Sequence, residues 1–135
     1  GRFLAFYLIC GLIAAGTHVA FQPASPVPTV GASGAISGIL GAYLVLYPHV
    51  RVNMLFPPFI FRTFAIPAWI VLIYWFGVQV LTARVSPAAG GVAVWAHIGG
   101  FAAGMVLVKI FENPRLVAKR NEIREQRHWF AAANS

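Results

Sequence analysis

The 135-residue chain contains no aspartate, and its three glutamates, Glu112, Glu122 and Glu125, all lie near the C-terminus. A Ser-His-Asp triad therefore cannot be assembled from it. The same scarcity of carboxylates excludes a carboxylate-rich metal site, so no metal and no cofactor is expected. With one cysteine, Cys10, there is no disulfide within the chain. Charge of either sign is scarce, at 10% of residues against roughly a quarter in soluble domains. No Lys, Arg, Asp or Glu occurs from Phe3 to Val50, from Thr63 to Ala83, or from Val85 to Val108. Water-soluble helices must show a polar face, and these stretches have none to show.

What is present is apolar: 59% of the residues are hydrophobic and the mean hydropathy is +0.76. The pattern predicts an all-α, polytopic transmembrane helix bundle. Four helices are expected at about 3–20, 33–47, 67–82 and 92–111. Pro23, Pro26 and Pro28 keep the segment Phe21 to Ala32 from being helical. Pro48 closes the second helix, and Pro67 suits a first helical turn. The stretch Tyr47 to Ile66, with Pro57-Pro58, reads as two extended pieces about a turn at the membrane interface. Residues 1–111 form the transmembrane domain and 112–135 a basic cytoplasmic tail, expected to be a helix capped by Asn113 with Pro114 at its first position.

The net charge of +7 does not imply nucleic acid, because the basic residues sit at helix ends and in the tail. If Arg2, the loop with Arg51 and Arg62, and the tail from Lys109 face the cytoplasm, nine of the ten basic residues lie inside and only Arg84 lies outside. Helices one and three then run outward, and two and four run inward. Ser33 and His97 fall near the outer, N-terminal ends of the two inward-running helices.

Polar residues inside apolar spans are functional candidates by default. Gly34, Gly38 and Gly41 form one smooth stripe on the Ser33 helix, and Gly100 and Gly104 share the face of His97. Small residues at these intervals let two membrane helices approach closely. Joining the stripes brings Ser33 beside His97, as a base and a hydroxyl require. The glycines themselves are assigned to packing. Ser37, one turn deeper, reads as a small packing residue. His18 reads as an interfacial polar residue, His49 as a residue at a helix end that faces the cytoplasm and His128 as part of an exposed tail. Trp69, Trp75 and Trp95 fit helix packing or an aromatic belt.

Gly31-Ala32-Ser33-Gly34 and Ala96-His97-Ile98-Gly99-Gly100-Phe101-Ala102-Ala103-Gly104 resemble the Gly-x-Ser-Gly and Ala-His-x-x-Gly-x-x-x-Gly motifs of rhomboid intramembrane serine proteases. Gly31 belongs to the packing set on this resemblance. The likeness extends to about Phe111 and covers the third to sixth of six core helices, so four of the six are present. It implies a serine endopeptidase cleaving transmembrane segments, with Ser33 as nucleophile, His97 as general base and the Ser33 backbone N–H as an oxyanion donor. Trp75 or Phe76 would border the route of a substrate helix. The competing reading is a proteolytically inactive scaffold that binds transmembrane helices. The family's upstream helix with its His-x-x-x-Asn oxyanion motif has no counterpart in this likeness, and His18 does not replace it, since position 22 is Gln22. The chain thus reads as a fragment, inactive alone, whose partners are the bilayer, transmembrane substrates and upstream helices of its own polypeptide. The expected location is the bacterial plasma membrane, multi-pass, with the C-terminus cytoplasmic. Where some relatives stack an aromatic on the histidine this chain has Ser37, so another group must hold the imidazole.

Overall fold

The computed structural model of the chain describes residues 1–24, 32–55, 63–85 and 94–133. Gly31, the prolines at 26 and 28, Arg62, the Pro57-Pro58 turn and Val92 lie outside the described residues, as does the side chain of His128.

Proline and the need to satisfy helix ends set the element boundaries. Helix α1 (Arg2–Phe21) ends just before Pro23, and α2 (Ser33–Leu46) stops short of Pro48. Strands β1 (Arg51–Leu55) and β2 (Thr63–Pro67) pair antiparallel, with Arg51 opposite Pro67 and Leu55 opposite Thr63. The chain then turns directly into α3 (Ala68–Val85). The first N–H groups of a helix lack intrahelical acceptors. Here Ala68 N–H donates to Val50 O at 2.8 Å and Trp69 N–H to Pro48 O at 3.0 Å. The ribbon therefore anchors the start of α3 against the end of α2. Helix α4 (Val94–Phe111) is followed by α5 (Pro114–Ala133). Asn113 Oδ1 accepts from Arg115 N–H at 3.1 Å, a side-chain cap with Pro114 at the first helical position.

The described fold is thus mainly helical with one two-stranded ribbon. α1 and α4 are long and apolar enough to cross a membrane, and Ser33–Leu46 and Ala68–Thr82 are shorter apolar helices. Large apolar side chains face outward, among them Leu4, Leu8, Leu12, Tyr74, Leu81, Val106 and Ile110. An apolar exterior of this extent marks a surface that meets something other than water.

Inside, small residues do the packing. On α1 the buried residues Phe6, Cys10, Ala14 and His18 recur every four positions. Ala14 lies against Gly34, and Cys10 against Gly38, so α1 and α2 run antiparallel. A Cβ added at Gly100 would strike the Gly34 carbonyl, and one at Gly104 the Gly38 carbonyl. A Cβ at Gly41 would strike the Phe101 carbonyl. α2 and α4 consequently run parallel with their backbones in contact. Close approach of this kind is what associates helices in a lipid solvent, where apolar burial gives no drive between them.

Helix α3 packs differently, through Ala68, Leu72, Trp75 and Phe76 onto Phe101 of α4. Phe76 stacks on Phe101 at 4.7 Å between ring centroids. At the far end of the bundle, Arg2 Nη1 donates to Glu112 O at 2.7 Å, joining the start of α1 to the end of α4. The Glu112 carboxylate there pairs with Lys109 at 3.4 Å and Arg120 at 3.6 Å.

Candidate active site

Ser33 is the first residue of α2, and His97 lies in the first turn of α4. Because these helices are parallel and in backbone contact, their N-termini open at the same end. A Cβ on Gly34 would lie 3.5 Å from the Ala96 carbonyl and 3.6 Å from the Ala96 Cβ. The immediate neighbours of serine and histidine therefore face each other across the seam, with room for no more than a methyl group between them. Gly34, Gly38, Gly41, Gly100 and Gly104 all lie in the seam that makes this possible.

Ser33 is exposed, and His97 is partly buried. Among the described residues, no hydrogen bond joins the Ser33 hydroxyl to the imidazole. Catalytic hydrogen bonds are often long before substrate binds. The α2 N-terminus has no side-chain cap, and the first N–H bonded back into the turn is Ile36 to Ala32 O at 2.9 Å. The backbone N–H of Ser33 is therefore among the helix-start donors without an intrahelical acceptor.

The imidazole is held from α3, which sequence reasoning did not identify. His97 Nδ1 is 3.2 Å from Gln79 Oε1. One turn earlier on the same helix, the Trp75 ring lies 5.9 Å from the imidazole with planes tilted by 41°. Gln79 carried a sequence signal, being the sole carboxamide in the charge-free stretch Thr63 to Ala83. Nothing in the sequence showed which way it faced.

Ser37 is more than a packing residue. It is 1% exposed, and its hydroxyl donates to the His97 backbone carbonyl at 2.6 Å. A larger side chain would not fit there, since its helical neighbours Gly34 and Gly38 admit α1 and α4 so closely. His18 also departs from expectation. It is 8% exposed on the buried stripe of α1, and its Nδ1 has no hydrogen-bond partner among the described residues. The spacing of four from Ala14 turns it inward, where an interfacial residue would face out. Trp95 stacks on Phe21 at 4.2 Å, closing α1 against α4 at the serine end. Trp69 and His49 are exposed. Trp75 and Phe76 face α4, and neither is fully exposed.

A cavity of about 620 Å³, lined by Phe6, Tyr43, Leu46, Val108 and Phe111 among others, opens at the Arg2–Glu112 end. It is at the opposite end of α2 and α4 from Ser33 and His97 and takes no part in their chemistry.

No curated protein and no solved structure matches the chain. The profile of the Rhomboid domain matches residues 1–113 of the 135. Its span takes in all four apolar helices and the glycine seam between α2 and α4, and the chain belongs to the rhomboid family.

Proposed function

We propose that the chain is the catalytic part of an intramembrane serine endopeptidase that cleaves transmembrane segments with a Ser33–His97 dyad. The observation that carries this reading is the parallel α2–α4 seam, in which the neighbours of both residues face each other at one end of the bundle. In this mechanism Ser33 Oγ attacks the scissile carbonyl carbon while His97 takes the hydroxyl proton. The imidazolium returns that proton to the leaving amine as the peptide C–N bond breaks. Water then attacks the acyl-serine, with His97 again as base, releasing the new carboxyl group. The Ser33 N–H donates to the developing oxyanion.

All four apolar helices, α1 to α4, span the bilayer in this reading, with the serine end outward and the basic tail in the cytoplasm. The alternation of basic residues supports that orientation, and a bacterial plasma membrane is the proposed location. The partners are lipid, transmembrane substrates and further helices of the same polypeptide, and no nucleic acid is involved. The chain's one His-x-x-x-Asn pair, His49 and Asn53, lies beyond the C-terminal end of α2, the opposite end from Ser33, so it supplies no oxyanion donor. Losing one oxyanion donor typically costs ~10²–10³ in rate, so the isolated chain is expected to be inactive. Cleavage of a reporter by purified residues 1–135 would refute that expectation.

The competing reading is an inactive scaffold that binds transmembrane helices. That no hydrogen bond joins Ser33 to His97 among the described residues is the one observation on its side. Fluorophosphonate labelling of the full polypeptide in liposomes decides between them. A protease labels, and both Ser33→Ala and His97→Ala abolish the signal. A folded wild type that never labels is the scaffold.

A further inference from the structure

We propose that Gln79 is the positioning residue for His97, fixing which ring nitrogen carries the proton and so presenting the other as the base. This rests on the reading of His97 as general base and adds a residue from a third helix to it.

The contact is between Gln79 Oε1 and His97 Nδ1, at 3.2 Å. A carboxamide oxygen only accepts, so the imidazole must donate from Nδ1. The lone pair of the neutral ring is then on Nε2, the nitrogen on the opposite side of the ring from Gln79. With the amide turned over, its NH₂ would donate to Nδ1, the ring proton would move to Nε2, and the base would be lost. The tautomer therefore follows from the amide orientation, and each orientation has a distinct chemical consequence.

Three contacts fix His97, each on a different part of the residue. Ser37 of α2 donates to its backbone carbonyl at 2.6 Å. Trp75 lies beside the ring at 5.9 Å, and Gln79 bonds its Nδ1. Trp75 and Gln79 are four residues apart on α3, so they share one helical face. That face supplies both an aromatic surface and an acceptor, which is the support missing at position 37 of α2. An amide within a charge-free apolar helix is costly to keep without a partner. The imidazole is that partner.

The bond also favours the transition state over the ground state. When His97 takes the serine proton, its Nδ1–H belongs to a cation, and hydrogen bonds to charged groups are about twice as strong as neutral ones. An interaction that strengthens as the reaction proceeds raises kcat.

The test uses the full polypeptide in liposomes, with two readouts. Turnover of a transmembrane substrate gives kcat and KM. ¹⁵N NMR of histidine-labelled protein, with His97 assigned by difference from His97→Ala, gives the tautomer. In the wild type, His97 should carry its proton on Nδ1. Gln79→Met, similar in size but unable to accept, should lower kcat about ten- to a hundredfold with KM little changed, and should mix the tautomers. Gln79→Glu keeps an acceptor and should retain the Nδ1–H form and most of kcat. A wild-type proton on Nε2 overturns the proposal, as does Gln79→Met with wild-type kcat and tautomer. Should Gln79→Met fail to fold, loss of the Nδ1–H form in Gln79→Glu overturns it equally. Failure of the dyad reading is seen separately, as activity that survives His97→Ala, and leaves the tautomer measurement standing.

Discussion

Helix α4 is gripped on two sides by different means. Toward α1 and α2 it presents Gly100 and Gly104, and backbone meets backbone with no room for a methyl group. Toward α3 it presents Phe101 and His97, and the contact is made by rings and one amide. The first seam is specified by what is missing from the side chains, the second by what the side chains are. A glycine seam fixes the distance and register of two helices but carries no chemistry. A seam of large side chains is adjustable, and polar groups can be set into it. The proposed nucleophile sits on the rigid side, the residue positioning its base on the adjustable side, and His97 between them.

The sharpest way to break the comparison is to put a side chain into the glycine seam. Gly104→Val would drive its Cβ into the Gly38 carbonyl, and backbone at that place cannot move aside as a flexible side chain could. The expected cost exceeds about 4 kcal/mol, in the range reserved for failures of core packing. Denaturant titration in micelles should show loss of the folded state. A folded Gly104→Val with an unchanged midpoint would mean that α2 and α4 are not in backbone contact.

The adjustable seam should yield by degrees. Phe101 is 2% exposed and meets both Trp75 and Phe76. Phe101→Ala should cost roughly 3 kcal/mol, the lower end for removing a buried phenyl ring. It should also reduce fluorophosphonate labelling, because the helix carrying Gln79 loses its main support. Destabilisation with full labelling would separate the packing of α3 from its hold on His97. Ser37→Ala removes one hydrogen bond between α2 and α4, a loss of about 0.6 kcal/mol on average for helices in a membrane, measurable by the same titration.

How much of this was legible in the sequence divides along the same line. The Ser33 and His97 stripes could be read because a glycine stripe is a local pattern, which fixes a helical face without knowledge of the partner. Pro114 and Asn113 announced the α5 boundary for an equally local reason. The pairing of Gln79 with His97 was hidden. It depends on the rotation of α3 about its own axis, and apolar residues surround α3 on all sides of Gln79, so that one amide does not mark a face. A soluble helix betrays its inward face by amphipathicity, but lipid removes that signal. Ser37 is the buried small residue its place on the stripe indicates, but its bond to the His97 carbonyl was hidden for a related reason: it needs the close helix approach that the glycines around it permit. His18 reads as interfacial from its place at the outer end of the first helix, although its spacing from Ala14, Cys10 and Phe6 already marks the buried stripe.

The smallest effect tests whether glycine means the same thing in both seams. Gly77 is on α3, between Trp75 and Gln79, and a Cβ built there meets nothing within 4 Å. Two residues away on a helix is nearly the opposite face, so Gly77 points away from α4 as surely as its neighbours point toward it. A methyl group there adds no clash, and alanine loses less backbone entropy than glycine on entering a helix. Gly77→Ala is therefore expected to leave labelling unchanged and to raise stability by about 0.5–1 kcal/mol, the usual gain in a helix interior. The same one-carbon addition that would be excluded at Gly104 should be neutral or better at Gly77. A loss of more than about 1 kcal/mol would mean that another helix of the full polypeptide lies on this face of α3, packed as tightly as α2 is on α4.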